Sequence, residues 1–445
     1  MTDLDALAAQ LVDAALKAGA DAADALAMSG AEVSIAVRGG ALEEAGRAES
    51  LDFGVRALVG RRQACVSASD ARPETIRALA ERAVAMAREA PEDPWCGLMD
   101  PETLGAPVDP ATLMLEDAAA APAPAALQAL ALEAEAAARG VAGVAQVDSA
   151  QASFSRTTLA LAASNGFCGG YARTSAGLSV SAIAGEGTGM EGDYDYAVRR
   201  RMADLPPPGE IGARAAARAV ARLNPRKAPS GAFPVLFDRR AAPSLIGHLL
   251  SAANGAAVAR GASWLSARMG DAVLPDWADL VENPLLPGGP SSRPFDAEGV
   301  ASRAQPIVTG GRLARWLLDG ASARQLGLRT TGNARRGVSS PPAPGATNVR
   351  LTPGERSPAE LMAGMGRGLM VTSLMGASVS PTTGAYSRGA AGFWIENGEI
   401  AYPVSEATIA GALPDFLRRM TAADDPDPYV ATSVPALLVE GLVVA

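Results

Sequence analysis

The 445-residue sequence predicts an α+β protein with an N-terminal half of repeated strand–strand–helix units and a C-terminal half that is a hairpin-rich antiparallel sheet with a few helices. Two observations predict the division. The same order of strand-like and helix-like segments occurs twice before residue 224, and a polar linker with two prolines follows at 224–231. A third observation is that the sequence changes in character after this linker, where hairpin signals occur at Gly310-Gly311 and Asn397-Gly398. We therefore expect an N-terminal α/β domain over 1–224 and a C-terminal β-rich domain over 232–445.

The first repeated unit covers about residues 1–97. Apolar residues at helical spacing, strand-like runs and a proline-led helix follow one another. The predicted elements are a helix at 2–19, strands at 32–40 and 51–60, and a helix at 71–90. Leu4, Leu7, Leu11 and Ala15 share one face of the first helix, and Gly19 is a typical helix stop.

The second unit covers about residues 141–224 and has the same order. Its predicted elements are strands at 157–166 and 176–185 and a helix at 209–224. The last helix of each unit contains the letters RAVA, a short match that is weak evidence in alanine-rich sequence. A further helix at 126–140, with Gly140 as its stop, connects the two units.

The C-terminal half carries local signals for hairpins and helix ends. Its predicted elements are a strand at 232–238, a helix that begins at 243, hairpins at 305–319 and 393–404, and a helix whose start is marked by the capping sequence at 357–360. Ser357 and Glu360 have the spacing of a capping box, with Pro358 at the first helical position. Asn397-Gly398 suits a type I′ turn, which makes 393–404 the strongest hairpin signal in the chain.

The charge balance excludes several classes of function. The formal net charge is −9, which disfavours direct nucleic-acid binding because such proteins usually have a basic surface. Lys17 and Lys227 are the only lysines, so a catalytic or phosphate-binding lysine is not expected. No G-x-x-x-x-G-K-[ST] motif occurs.

The cysteines and the N-terminus indicate the cellular compartment. The three cysteines, Cys65, Cys96 and Cys168, form no C-x-x-C pair, which favours reduced thiols over disulfides or a zinc site. The N-terminus MTDLDALAAQ is acidic where a signal peptide needs basic residues, and no apolar stretch is long enough to span a membrane. We therefore expect a cytoplasmic protein with no membrane contact.

His248 is the only histidine, and three roles are open to it: metal ligand, general base, or packed residue. A helical zinc-protease motif needs two histidines and a glutamate, which a single histidine does not supply. A Ser-His-Asp triad is also disfavoured, because the sequence contains no G-x-S-x-G motif around any serine. Its apolar neighbours favour a packed or partner-facing residue. The acidic segments 193–195 and 424–425 could bind a hard cation, but solvated loops are the more common explanation. No metal is expected in this chain.

The segment 386–394, YSRGAAGFW, supports two interpretations. One is a tight loop that leads into a strand. The other is a contact with a peptide substrate or another subunit, because tyrosine, tryptophan and arginine often anchor interfaces. Under the second interpretation the contact residues are Tyr386, Arg388, Phe393 and Trp394.

The residues alone thus give a two-part α+β protein without a visible catalytic set, and a family resemblance adds to this. The C-terminal half resembles the TldD/PmbA family, specifically its PmbA (TldE) branch. The residues that carry the resemblance are PFDAEGV (294–300), WLLDGASARQLGLRTTGNA (316–334), GRGLMVTSLMG (366–376), YSRGAAGFWIENGEIAYPVSEATIAG (386–411), GHLLSAANG (247–255) and LPDW (274–277). The N-terminal half resembles the family more loosely, through GADAADALAMSG (19–30).

The resemblance implies a two-subunit cytoplasmic protease. In the family, TldD-type chains carry a helical H-E-x-x-x-H zinc motif with a later cysteine, and PmbA-type chains are their partners without it. Family members are associated with trimming precursor peptides and degrading unfolded small proteins, and the PmbA name has an older link to DNA gyrase modulation.

Mapped onto this chain, the zinc motif is missing as a set. Gly247 stands at the first histidine position, His248 at the glutamate and Ala252 at the second histidine, and no cysteine follows Cys168. The resemblance therefore implies a non-catalytic subunit, a TldD-type partner that alone holds zinc, and a peptide or unfolded protein as substrate. The alternative is a stand-alone homo-oligomer, for example a homodimer, with a binding or regulatory role such as gyrase modulation and no protease activity.

Overall fold

The structure, a computed structural model, describes residues 3–445. Its N-terminal half contains five helices and six strands. The helices are α1 (Leu4–Lys17), α2 (Pro73–Glu89), α3 (Pro101–Leu104), α4 (Pro124–Arg139) and α5 (Pro208–Ala221). The strands are β1 (Ala22–Arg38), β2 (Ala41–Val59), β3 (Arg62–Ala68), β4 (Val144–Ala163), β5 (Cys168–Ala184) and β6 (Glu191–Arg199).

The six N-terminal strands form one antiparallel sheet with the order β3-β2-β1-β4-β5-β6. The order is symmetric about the β1–β4 pair, because each unit contributes three consecutive strands. The strand–strand–helix repeat is present in both units. Each unit also has a third strand that was not predicted. The helix α4, which the sequence analysis placed between the units, precedes β4 as α1 precedes β1.

All four long N-terminal helices pack on one face of this sheet. α1 and α2 cover alternate residues of β1 and β2, including Ala25 and Phe53, while α4 and α5 cover Ile35 on the same side of β1 and Leu178 on β5. The small side chains of the helices and strands permit this close packing. The opposite face carries none of the four long helices; the short helix α3 packs there through Leu104, and the loops of the C-terminal half cover part of it.

The N-terminal strands are much longer than predicted. β1 and β2 have 17 and 19 residues, although the predictions were for 32–40 and 51–60. The first ten residues of β2 are almost all exposed and carry Ala, Gly, Ser and Glu instead of alternating apolar residues. The alternation that marks a half-buried strand is therefore absent where the hairpin extends beyond the core.

The C-terminal half contains thirteen strands and five helices. The strands are β7 (Gly231–Phe237), β8 (Leu280–Glu282), β9 (Gln305–Thr309), β10 (Arg312–Leu313), β11 (Ala334–Arg335), β12 (Ala343–Pro344), β13 (Val349–Leu351), β14 (Gly368–Val379), β15 (Ala385–Glu396), β16 (Glu399–Ala412), β17 (Met420–Ala422), β18 (Thr432–Ser433) and β19 (Leu437–Val444). The helices are α6 (Pro243–Ala252), α7 (Gly255–Ala259), α8 (Gly320–Leu326), α9 (Pro358–Met365) and α10 (Leu413–Phe416).

The main C-terminal sheet has the order β16-β15-β14-β7-β19-β17, and an additional pairing of β16 with β19 closes five of these strands into a ring. Most pairs are antiparallel, as predicted, but β7 and β14 pair in parallel because a long segment containing α6 connects them. A second sheet has the order β10-β9-β8-β13-β18, and β11 pairs with β12. The main core of this half surrounds Trp394, Phe237 and Phe416, and a smaller cluster surrounds Leu236 and Leu361.

The local signals in the C-terminal half are confirmed. β15 and β16 pair across Asn397-Gly398, and both turn residues have the positive φ of a type I′ turn, 54° and 79°. β9 and β10 form the hairpin about Gly310-Gly311. At α9 the Ser357 side chain accepts from the Glu360 amide, and the Glu360 carboxylate accepts from the Ser357 amide, which is a capping box.

Buried ion pairs connect the two halves. The carboxylate of Asp24 on β1 accepts hydrogen bonds from Arg56 on β2 and from Arg336, which follows β11, and all three side chains are almost completely buried. At a second point Arg240, just before α6, donates to Asp193 on β6 at 2.8 Å. Between residues 3 and 445, no helix has both the length and the apolar character needed to cross a membrane.

Candidate functional site

Helix α6 carries the three positions at which the family resemblance would put a zinc motif. It follows β7, and Pro243 lies in its first turn. Leu245, Ile246 and Leu249 are buried in the main C-terminal core, whereas Gly247 and His248 lie on the partly exposed side. The apolar face therefore fixes the helix on the sheet and orients His248 away from the centre of the core.

His248 contacts Tyr386 on β15, 138 positions later in the sequence. The two rings meet edge to face with their centroids 5.9 Å apart. Nε2 of His248 is buried and has no hydrogen-bond partner among the described residues. Burial, together with the positive charge of Arg388, lowers the pKa of His248 below its usual 6.5, so the imidazole is neutral at pH 7.

Tyr386 lies between His248 and Phe416 and is 2% exposed. Its hydroxyl is also buried and has no well-aligned hydrogen-bond partner among the described residues, although the Arg388 guanidinium is close enough to oppose the rise in its pKa. Burial raises the pKa of Tyr386 to about 12, so the phenol stays protonated and can donate a hydrogen bond. Buried polar atoms are nearly always paired, so the two unpaired atoms at His248 and Tyr386 indicate a place where a further polar group can bind.

Arg388, two residues along β15, supplies the positive charge at this site. Its Nε donates to the Gly376 carbonyl at 2.7 Å, which holds the side chain against β14. Arg388 and Ser244 also line a cleft of 320 Å³ between β6 and α6, which Arg240 and Asp193 close on the N-terminal side. The site therefore has a guanidinium that lines an open cleft, with a neutral imidazole and a phenol buried next to it.

The residues at this site do not fit a zinc ion. A side chain at Gly247 would point into open space, with no atom within 4 Å of its Cβ, while Ala252 is only 5% exposed and packs in the core. The two would-be ligand positions thus lie in different environments, and neither residue has a donor atom. Within residues 3–445 there is no group of three or more His, Cys, Asp or Glu side chains placed to hold a metal.

Phe393 and Trp394, predicted as contact residues, have different environments. Trp394 is fully buried, packs edge to face on Phe233 at 5.0 Å, and donates from its indole nitrogen to Glu396. It is a core residue whose side chain is not available to a partner in this structure. Phe393 is half-buried and lines a mainly apolar cleft of 450 Å³ between α5 and the C-terminal sheet. The structure brings Tyr386 and Arg388 to His248 and leaves Phe393 and Trp394 elsewhere.

The acidic segment at 193–195 is not a solvated loop. It lies in β6, where Asp193 and Asp195 are buried. Asp193 pairs with Arg240, and Asp195 pairs with Arg214 and Arg218 on α5. Sequence reasoning missed these pairs because the arginines lie 19 or more positions away along the chain.

Comparisons with known proteins agree along the whole chain. The PmbA/TldA metallopeptidase family matches in three parts, with domain 1 over residues 23–87, the central domain over 117–223 and the C-terminal domain over 230–445. The chain is similar to the protein named metalloprotease PmbA in Escherichia coli O157:H7, with 37% identity over 388 residues, 87% of this chain and 84% of that protein.

Solved structures show the same fold. A Bacteroides thetaiotaomicron protein described as a candidate modulator of DNA gyrase superposes with a TM-score of 0.90 at 26% identity, over 99% of this chain and 98% of the other. TldE from Thermococcus kodakarensis superposes with a TM-score of 0.84 at 21% identity, over 99% of this chain and 100% of the other. At this lower identity the second match supports the fold alone.

Proposed function

The chain belongs to the PmbA/TldA metallopeptidase family, and from that premise we propose that it is the non-catalytic subunit of a heteromeric zinc metalloprotease that acts on unfolded or precursor peptides. One observation carries the proposal. Helix α6 has Gly247, His248 and Ala252 where the resemblance implies two zinc ligands and a glutamate base.

The missing ligands matter because of their energetic effect. Zinc lowers the pKa of a bound water from about 15.7 to about 7. A difference of roughly nine pK units corresponds to about 12 kcal/mol at about 1.4 kcal/mol per unit. General acid–base catalysis by one side chain contributes roughly 10²–10⁴-fold, which is far less. A neutral His248 therefore does not substitute for a metal site.

What this chain contributes is binding and positioning. Arg388 lines the cleft, and beside it Nε2 of His248 and the hydroxyl of Tyr386 are buried, neutral polar groups that a substrate could engage once they become accessible. Such groups suit the amide and carbonyl groups of an extended peptide, which are themselves neutral donors and acceptors. This is a role in holding the substrate and requires no nucleophile from this chain.

The proposal requires a TldD-type subunit that brings the zinc. The family resemblance supports this partner, and the β14–β16 region supports a contact with it, because Met375 and Ile400 there are more than half exposed. A homodimer of this chain with a regulatory role is the alternative. The two differ in whether a second type of chain is needed for metal and for activity.

The test is metal analysis combined with size-exclusion chromatography. This chain, a TldD-type subunit from the same host and their mixture are each dialysed and analysed for zinc. We expect no stoichiometric zinc in this chain, about one zinc for each partner chain, and co-elution of the two. About one zinc retained by this chain alone, or self-association with no binding to the partner, would contradict the proposal.

A further inference from the structure

A second cavity, remote from α6 in the sequence, lies between the two halves of the molecule. It has a volume of 160 Å³. Its floor is the face of the N-terminal sheet opposite the four long helices, where Leu26 on β1, Leu161 on β4 and Tyr171 on β5 are neighbours. Its roof is formed by C-terminal loop residues, among them Phe295 and Arg293.

Four arginines line this cavity, although the chain as a whole is acidic. They are Arg173, Arg293, Arg335 and Arg336. Among the described residues only Arg336 has an ion-pair partner, Asp24, and Asp24 is shared with Arg56. The one carboxylate in the lining, Asp296, accepts three backbone hydrogen bonds from its own loop and from Ala334. The cavity is therefore cationic and lacks enough acidic partners to balance its charge.

The hydrogen bonding of these arginines is also incomplete. Arg293 donates to the carbonyls of Ala334 and Gly332 at 2.7 and 3.0 Å, but its Nε has no partner in the described part of the chain. The same holds for Nε of Arg336, whose side chain is 1% exposed. The Arg173 side chain makes no hydrogen bond to any described residue. Buried guanidinium nitrogens without acceptors are costly, and an anion would satisfy them.

Repulsion between the arginines supports this interpretation. Burial and the neighbouring Arg173 lower the pKa of Arg200, whose guanidinium donates to Thr174 next to the cavity, to about 10. Burial, Arg293 and Arg173 likewise lower the pKa of Arg335. Like charges held together in this way are stabilised when an anion binds between them.

The size of the cavity restricts the ligand to a small anion, and its apolar wall favours an anion that is attached to an apolar group. Its volume is below the roughly 300–1,000 Å³ of pockets for drug-sized ligands. Leu26, Met28, Leu159 and Leu161 form an apolar wall, and the exposed Arg335 lies at the solvent side. A planar carboxylate matches the paired donors of a guanidinium.

We propose that this arginine-lined cavity binds a peptide carboxylate attached to an apolar residue, as at the C-terminal end of a peptide. The carboxylate is held by Arg173 and Arg335 with Arg293 behind them, and the apolar side chain packs on Leu26 and Leu161. The inference names a substrate feature and so rests on the proposed function, but its test does not need the partner subunit.

Calorimetric titration of the purified chain at low salt tests the proposal. The probes are an acetylated tetrapeptide ending in leucine with a free carboxylate, the same peptide as its C-terminal amide, an amide with an internal glutamate, and inorganic phosphate. We expect the free acid to bind at least about 10-fold more tightly than the leucine amide, and its affinity to fall as salt is raised. Preference for the internal glutamate over the free acid would overturn the C-terminal assignment, and binding of phosphate with no binding of the peptide acid would overturn a peptide site.

Two variants locate the binding site. Arg173→Gln and Arg335→Gln each remove a partly exposed guanidinium without breaking an ion pair. Each variant should bind the peptide with a free carboxylate about 10-fold more weakly, with little change in its binding of the peptide amide. Arg329→Gln, an exposed arginine outside the cavity, is the matched control and should bind as the unmodified chain does. Equal binding of acid and amide, or unchanged binding by both cavity variants, would overturn the inference. Cleavage by the mixture of subunits would still stand in that case, so the two proposals fail separately.

Discussion

At the scale of single residues, His248 and Tyr386 are polar side chains held by apolar neighbours. Leu245 and Leu249 fix the helix below His248, and Phe416 packs on the other side of Tyr386. Burial keeps both side chains uncharged at neutral pH, which leaves them as hydrogen-bonding groups instead of a base or an ionic partner. Both polar atoms are buried in this structure, and Arg388 beside them is the residue of the three that lines the cleft.

The first prediction concerns His248→Gln. Glutamine keeps a neutral polar group at this position, so peptide cleavage by the assembled two-subunit enzyme should change by less than about 3-fold. A general base would instead cost roughly 100-fold or more. The measurement is kcat/KM for an unfolded peptide, with circular dichroism to verify folding, and a loss of 100-fold in a folded variant would assign His248 to catalysis.

The second prediction uses the pH dependence of Glu298, a fully buried residue. Burial, and then the neighbouring Asp296, raise the pKa of Glu298 from 4.5 to about 8. Between these values the unfolded chain has released the proton while the folded chain retains it, so Glu298 lowers stability progressively as pH rises from about 4.5 to about 8. Glu298→Gln removes this effect. The Tm of the variant minus that of the unmodified chain should therefore be larger at pH 8.5 than at pH 5 by roughly 3 °C or more.

The control for this experiment is Glu399→Gln, at an exposed hairpin position. Its Tm difference from the unmodified chain should be nearly constant over the same pH range. A Glu298→Gln difference that is flat, or that falls with rising pH, would show that the carboxyl is ionised in the folded protein.

At the scale of elements, the β15–β16 hairpin depends on a turn in which Gly398 has no room for a side chain. Gly398 has φ of 79°, and a Cβ there would lie 2.8 Å from Cα of Ala363 in α9. Gly376 has a similar φ of 69° but nothing within 4 Å of its Cβ position. Substitution at Gly376 therefore tests backbone strain alone, and substitution at Gly398 tests backbone strain together with a steric clash.

The third prediction follows from this comparison. Gly376→Ala should lower the free energy of unfolding by about 1 kcal/mol, the cost of strained backbone alone. Gly398→Ala should lower it by at least about 2 kcal/mol, because α9 or the turn must also move. Urea denaturation monitored by tryptophan fluorescence measures both, and equal losses would mean that the contact with α9 is loose.

The elements also show which structural features the sequence could predict. The Asn-Gly hairpin and the capping box at Ser357 depend on residues within four positions of each other, and both were predicted. The length of β1 and β2 was not, because their exposed ends carry small and charged residues without alternation. The third strand of each unit was also missed. In β6 the expected polarity is reversed, because Asp193 and Asp195 face inward while Tyr194 and Tyr196 are exposed.

At the scale of the whole molecule, the two halves are held together by a few buried charges and close backbone contacts. Asp24 accepts from arginines of both halves. Burial alone would raise the pKa of Asp24, but Arg336 and Arg56 outweigh it and hold the pKa below its usual range. Gly54 lies against the Val338 carbonyl so closely that a Cβ would clash. These contacts also position the roof of the arginine-lined cavity.

The fourth prediction is that Asp24→Asn destabilises the protein by about 3–5 kcal/mol, because it leaves two buried arginines without their counter-charge. Asp52→Asn is the control, since Asp52 is exposed on the neighbouring strand β2 and should cost less than about 0.5 kcal/mol. Chemical denaturation measures both. A small effect at Asp24 would mean that water or rearrangement already satisfies the arginines.

The candidate sites are where sequence reasoning was most incomplete. The family resemblance located Gly247, His248 and Ala252, and residue type singled out Tyr386 and Arg388, but neither indicated that Tyr386 contacts His248. The arginine-lined cavity was missed entirely, because Arg173 and Arg335 are 162 positions apart and meet only when the loops fold over the N-terminal sheet. Burial also decided that Trp394 belongs to the core.

The most direct test of the central claim, that this chain acts only with a zinc-bearing partner, is cleavage of an unfolded peptide. This chain, a TldD-type subunit and their equimolar mixture are assayed side by side, with and without a chelator. We expect cleavage by the mixture alone, its loss with the chelator and its return when zinc is added back. Robust chelator-sensitive cleavage by this chain without the partner would contradict the claim.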